Sequence, residues 1–188
     1  MPRRANSPAP RPDRVYVVGI GGSASKNSTT EAILRRGLAE AERLGAETRL
    51  FSARDLEFPL YAEDREHTPE VETFLRELRR CDGLILASPA YHGNISGRIK
   101  NALDYVEDMR SDDPPYLDGR VVGCIAVGAA HLGAAATLNA LCNVAHALRG
   151  WPAPMRLSIS SNEPLNERVD LKLFTIVKQV LGRAPVFQ

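Results

Sequence analysis

From residue 14 onward, short apolar runs alternate with longer stretches whose apolar residues recur every three to four positions. The first run, Arg14–Gly21 (RVYVVGIG), is rich in valine and isoleucine and ends in glycine, which predicts a strand buried on both faces. Ser28–Leu44 sets Ala32, Ile33, Leu34, Leu38, Ala41 and Leu44 along one face of a helix that Gly45 closes. Glu47–Ser52 reads as a second strand and Pro59 as the break that opens a loop. Pro69–Arg80 follows as a helix with Val71, Phe74, Leu75 and Leu78 on one side. Gly83–Ser88 (GLILAS) is a third strand, stopped by Pro89, and Gly97–Val106 a helix. After the polar loop Asp112–Gly119, Arg120–Val127 predicts a fourth strand and Ala134–Leu148 a helix ended by Gly150. Pro154–Ser160 gives a fifth strand and Glu167–Leu181 a last helix.

Five strands spaced by roughly 35 residues, each followed by a helix, are the signature of repeated βαβ units. Continuously apolar strands need cover on both faces. The expected architecture is therefore an α/β three-layer sandwich around a mostly parallel five-stranded sheet, taken in the doubly wound order 2-1-3-4-5. Residues 14–188 read as a single domain. Residues 1–13 are rich in proline and arginine without the apolar run of a signal peptide. They read as a disordered tail, with a partner-docking arm as the other reading.

Composition narrows the function classes. The chain has 188 residues, 44% hydrophobic and 25% charged, with a formal net charge of +1. That balance gives no global field for nucleic acid or an anionic membrane, and no segment is long enough to span a bilayer. Cys81, Cys124 and Cys142 are scattered, with no CxxC pair, which fits buried structural thiols in a reducing cytoplasm. His67 and His146 form no metal-ligand spacing with acids or cysteines, so no metal is expected. No G-x-S-x-G or Walker pattern is present, and no catalytic residues are assigned.

In an open parallel sheet a ligand sits outside the carboxyl ends of the strands, where strand order reverses. Two loops fall there: Gly22–Thr30 (GSASKNSTT) after strand one and Pro89–Gly97 (PAYHGNISG) after strand three. The first carries five hydroxyls in eight residues, Ser23, Ser25, Ser28, Thr29 and Thr30, and runs into a helix amino end. Free N–H groups and hydroxyls together suit a phosphate, and an ordinary Ser/Thr helix cap is the alternative. Gly19, Gly21 and Ala24 also match the dinucleotide fingerprint G-x-G-x-x-A. The acid expected at the end of strand two is missing, however, and Asp55 lies farther on. The second loop, with Tyr91, His92 and Asn94 around Gly93, suits a flat heterocycle; a capping loop with Tyr91 on the core is the alternative. A third loop after strand four, Gly128-Ala129-Ala130-His131-Leu132-Gly133, lets backbone approach closely, and His131 sits where it reaches a ligand edge or solvent.

At these loops the sequence resembles the NADPH-dependent FMN reductase family. Ser88–Tyr105, SPAYHGNISGRIKNALDY, is similar to the family signature S-P-x-Y-N-G-x-x-x-G-x-x-K-N-A-x-D-W, with Tyr105 in the tryptophan place. Asp55–Asp64, DLEFPLYAED, is similar to its acidic, proline-bearing segment, and the likeness runs from about Val15 to Ser160. The resemblance implies a flavodoxin-like fold and FMN as cofactor. Ser23, Ser25, Asn27, Ser28, Thr29 and Thr30 would hold its phosphate. Pro89, Ala90, Tyr91, His92, Gly93 and Asn94 would lie along the ring and ribityl chain, with Gly128, Ala129 and His131 in the third loop.

The same resemblance implies an NAD(P)H-dependent oxidoreductase that passes hydride from NADPH or NADH to FMN. From there it would reach free flavin, a quinone or another small organic acceptor. It also implies a homodimer or homotetramer with flavin sites near the subunit interface. Ser25 stands where many members carry arginine, Ala90 replaces a frequent glutamate and His92 an asparagine, so the nicotinamide preference and the acceptor stay open. An electron carrier without hydride chemistry is the rival reading. Carriers of that kind are strongly acidic, which the net charge does not match.

Overall fold

The computed structural model describes residues 14–25 and 27–182. The tail expected over residues 1–13 lies outside them. Side chains alternate across a strand, so each strand supplies two core layers. In β1 (Tyr16–Gly21), Val18 and Ile20 face one layer and Val17 the other. In β3 (Gly83–Pro89), Leu84 and Leu86 oppose Ile85 and Ala87, and in β4 (Val121–Gly128), Val122, Cys124 and Ala126 oppose Ile125 and Val127. β2 (Glu47–Phe51) is the edge strand, and its exposure alternates accordingly. Helices α1 (Thr29–Arg43) and α5 (Glu167–Val180) cover one face through Ile33, Leu34, Leu173 and Ile176. Helices α2 (Pro69–Arg80), α3 (Gly97–Asp104) and α4 (His131–Ala147) cover the other through Val71, Phe74, Ile99, Leu103 and Leu141.

All strand pairs are parallel, and the order β2-β1-β3-β4-β5 is the one expected. The fifth position differs in detail. It is filled by two segments in series, β5 (Trp151–Pro152) and β6 (Leu157–Ser160), both paired with β4, so the sheet has six strands. The single strand expected over Pro154–Ser160 starts later because Pro152 and Pro154 carry no N–H. The ladder lapses after Ala153 N donates to Val122 O at 2.8 Å and resumes at Leu157. Two further boundaries move. α3 ends at Asp104 and tightens into a 3₁₀ turn over Tyr105–Met109, and α4 begins at His131, three residues before the expected Ala134.

Strand order reverses between β1 and β3, so the loops that leave them open side by side. Gly22 N donates to Ala87 O at 3.1 Å, which binds the start of the first loop to β3. A Cβ at Gly22 would stand 2.3 Å from Ser96 Oγ and 2.6 Å from Ile99 Cγ1. Only glycine lets the two loops come this close.

Candidate functional site

The first loop ends in a helix cap. Ser28 takes an extended backbone, and its Oγ accepts from Glu31 N at 3.1 Å, while its carbonyl accepts from Ala32 N at 2.9 Å. The cap alternative therefore holds for one of the five hydroxyls, and it engages only the oxygen of Ser28; the O–H remains a donor. Among the described residues, the main-chain N–H groups of Ser25, Asn27, Ser28, Thr29 and Thr30 meet no acceptor, and neither do the hydroxyls of Ser23, Ser25 and Thr29. Ser23 and Thr30 are buried, Ser28 and Thr29 half-buried, and Ser25 and Asn27 exposed. Unengaged donors at a helix amino end make a place for an anion.

The glycines of G-x-G-x-x-A answer to helix packing instead. A Cβ at Gly19 would lie 2.7 Å from Leu38 Cδ1, and one at Gly21 3.0 Å from Leu34 Cδ2, so both glycines let α1 settle on β1. Asp55, the nearest acid for a ribose, accepts from Ser52 N at 2.8 Å and from Ser52 Oγ at 2.7 Å. Its carboxylate closes a local turn.

The second loop is built the opposite way. Tyr91 N donates to Asn94 O and Asn94 N to Tyr91 O, both at 3.0 Å, around His92 (φ 52°) and Gly93 (φ 78°). Two consecutive left-handed residues closed by a paired bridge form a type I′ turn. Beneath it, the buried Ser88 Oγ donates to Pro89 O at 2.9 Å and accepts from Ser96 N at 3.0 Å. Ser96 Oγ in turn accepts from Ile99 N at 3.3 Å and caps α3. Pro89 closes β3, and Ala90 N donates to Val127 O at 2.7 Å. At the tip, the N–H groups of His92 and Gly93 are free among the described residues. Tyr91 is 51% exposed, so it does not pack on the core.

The third loop shrinks to Ala129 and Ala130, because His131 is the first residue of α4. Gly128 is again a point of close approach: a Cβ there would meet Ala90 Cβ at 2.9 Å and Ala134 N at 3.1 Å. Ala130 offers no side-chain cap, and among the described residues the amides of His131, Leu132 and Gly133 meet no acceptor. Ser160 Oγ and Asn162 Nδ2 both donate to Ala129 O at 3.3 Å, and His131 Nε2 lies 2.9 Å from Glu163 Oε1. These holding residues, at the end of β6 and just beyond it, were not assigned from sequence. Their signal was the polar run Ser160–Glu163 at the carboxyl end of the fifth strand position.

The remainder of the signature fixes the segment after β2. Asn101 Oδ1 accepts from Tyr61 N at 2.9 Å, and its Nδ2 donates to Pro59 O at 2.9 Å. Tyr105 OH donates to Pro59 O at 3.1 Å, and its buried ring stands edge-on to Phe58 and Tyr61. Arg98 Nη1 donates to Ala53 O at 2.7 Å and pairs with Glu57. Burial, then the neighbouring Asp108 carboxylate, pushes the Tyr61 phenol up to about 12, so it stays protonated.

The structure thus brings Ser23, Ser25, Asn27, Ser28, Thr29 and Thr30, the turn 89–94, and Gly128–Ala129 to one edge of the sheet. A cleft of about 570 Å³ borders the first loop, lined by Asn27, Ser28, Thr29, Arg35, Glu163 and Leu165. Among the described residues, no group of three or more His, Cys, Asp or Glu is placed to hold a metal ion, and no helix is long and apolar enough to cross a membrane.

Comparison with known proteins bears on this edge. The profile of the family described as NADPH-dependent FMN reductase matches residues 15–163. The chain is 36% identical over 98 residues to an FMN reductase (NADPH) of Pseudomonas putida, covering 50% of this chain and 48% of that protein. It is 32% identical over 121 residues to an iron-sulfur flavoprotein of Methanocaldococcus jannaschii, covering 60% and 61%. The match therefore takes in about half to three fifths of these relatives' length. Among solved structures, an apo NADH:FMN oxidoreductase superposes with a TM-score of 0.73 at 19% identity, covering 92% of this chain and 91% of that one.

Proposed function

The chain belongs to the NADPH-dependent FMN reductase family, and from that premise we propose that it binds FMN across its first three loops and acts as an NAD(P)H-dependent flavin oxidoreductase. The observation that carries this reading is the set of N–H and O–H donors on Ser23, Ser25, Asn27, Ser28, Thr29 and Thr30 that meet no acceptor among the described residues, beside the rigid I′ turn at Tyr91–Asn94. A single phosphate suits the first. A pyrophosphate would need bare backbone and a free acid at the end of β2, and Asp55 is already hydrogen-bonded. Bound FMN would supply the redox chemistry, hydride exchange between a nicotinamide and a small acceptor such as free flavin or a quinone.

The protein's part is orientation. Ser23, Ser25, Asn27, Ser28, Thr29 and Thr30 hold the phosphate. Pro89, Ala90, Tyr91, His92, Gly93 and Asn94 set the plane of the ring. Gly128 and Ala129 keep the third side low enough for a flat ligand, and His131 borders it while paired with Glu163. The free amides at the tip of the second loop and at the start of α4 aim partial positive charge at the ring edge, where reduction adds negative charge. No general acid or base is assigned.

The reduced, buried thiols suit the cytoplasm. Leu60 and Tyr91 on the loops around the site and Leu132 in the first turn of α4 stand 78%, 51% and 84% exposed, which supports a homodimer closing over it. We treat residues 14–188 as one FMN-binding domain.

The test is anaerobic mixing of the purified protein, FMN and either NADPH or NADH. The flavin absorbance is expected to bleach with at least one donor and to recover when an acceptor is added. Tight FMN binding without bleaching by either nicotinamide would leave an electron carrier in place of an enzyme.

A further inference from the structure

We propose that the cleft between the segment after β2 and the first turn of α3 binds a small aromatic carboxylate, with Arg98 as the residue that recognises its charge. The cleft has a volume of about 410 Å³, within the range of small-molecule sites. Its walls are apolar: Leu56 is buried, Phe58 half-buried and Leu60 exposed at the rim. Gly97 keeps the α3 side low, since a Cβ there would meet nothing within 4 Å. The walls are also held in place. Asn101 Nδ2 and Tyr105 OH both donate to Pro59 O, and Asn101 Oδ1 accepts from Tyr61 N. A wall fixed before the ligand arrives loses less binding free energy to ordering.

The way Arg98 is tethered sets it apart from the other arginines. A guanidinium can grip a carboxylate through two N–H groups at once, as Nε and Nη2 together do. In Arg35 and Arg43 that edge is filled from within α1: Nε and Nη2 reach Glu31 at 2.9 and 2.6 Å in the first, and Glu40 at 2.8 and 2.6 Å in the second. In Arg98 one nitrogen makes both bonds, Nη1 donating to Ala53 O at 2.7 Å and to Glu57 Oε1 at 2.9 Å. Its Nε and Nη2 meet no acceptor among the described residues. The main chain at Ala53 thus fixes the guanidinium in the cleft wall and leaves its fork for a ligand. A carboxylate fits the fork, and an attached ring fits the apolar walls. Glu57 also lines the cleft and opposes an anion, but its side chain is 65% exposed against 38% for Arg98, so water screens it more. None of these groups belongs to the phosphate cradle, so the proposal stands apart from the flavin reading.

The experiment is a ligand-observed NMR titration of the purified full chain with three probes: benzoate, benzamide with the same ring and no charge, and benzylamine with the opposite charge. Benzoate is expected to bind about tenfold more tightly than either, as hydrogen bonds between two charged groups provide. Arg98→Gln should abolish that preference. Arg98→Lys keeps the charge but not the fork, and should retain only part of it. Glu57→Gln should tighten benzoate about twofold by removing the like charge. No flavin chemistry is read, so failure here and failure of the flavin reading are separate results. Absent benzoate binding, equal affinities for benzoate and benzamide, tighter binding of benzylamine, or a benzoate preference that survives Arg98→Gln would overturn the assignment.

Discussion

The loop after β1 and the loop after β3 lie side by side at the same edge, yet they meet their hydrogen-bonding needs in opposite ways. In the first, the amides of Ser25, Asn27, Ser28, Thr29 and Thr30 and the hydroxyls of Ser23, Ser25 and Thr29 find no partner among the described residues, and the Ser28 oxygen accepts from Glu31 N. In the second, Tyr91 and Asn94 bond each other, Ser88 and Ser96 bond beneath them, and at the tip the amides of His92 and Gly93 are free among the described residues. An unengaged donor is a standing demand for a ligand, since leaving it unsatisfied once the site closes is costly. A self-satisfied turn asks for nothing and keeps its shape. The first loop therefore supplies binding energy and the second supplies geometry, and the two should respond differently to substitution.

The largest effect is expected where the loops touch. Gly22→Val drives a side chain into Ser96 and Ile99, and should cost about 3 kcal/mol of stability as overpacking, read from urea unfolding, with both loops displaced. Next comes the double change Ser28→Ala with Thr29→Ala. It should weaken FMN binding by about tenfold or more, given roughly 1.5–3 kcal/mol per hydrogen bond to a charged acceptor, and lower stability by about 1 kcal/mol through the lost cap. Ser28→Asp separates the two roles: it still caps α1, so stability should return, but as an acceptor-only anion it should not restore affinity.

Third, Asn101→Ala releases the segment after β2. It should cost about 1–2 kcal/mol of stability, with FMN affinity little changed; a loss of affinity as large as that of the Ser28/Thr29 pair would erase the contrast. The smallest effect belongs to the turn. Gly93→Ala, at φ 78°, should cost about 1 kcal/mol, while His92→Gly at φ 52° should be neutral or slightly stabilising. Thermal melts of both variants check this.

Periodicity made the strands and the helix faces legible, because alternation in β1, β3 and β4 is imposed by two buried layers, while the sheet order was legible only through the doubly wound pattern that alternating strands and helices adopt. The fifth strand was legible as an element but not as two pieces, since two prolines in four residues, Pro152 and Pro154, break pairing in a way only the partner strand reveals. The start of α4 was hidden because Ala130 is no cap and Gly133 reads as loop. The first loop stood out by composition, as its donors act where they sit. What sequence could not reveal was support across distance. Asn101 and Tyr105 grip Pro59 and Tyr61 some forty residues away, and Ser160 and Asn162 hold Ala129 from another strand.

The division of labour between the loops is tested most directly by calorimetric titration of the full chain with FMN and, separately, with riboflavin, which has the same ring and no phosphate. If the donors from Ser23 to Thr30 carry the binding energy, FMN binds and riboflavin binds about a hundredfold or more weakly, as loss of two charged hydrogen bonds requires. Equal affinities for the two compounds, or no heat with FMN, would contradict it.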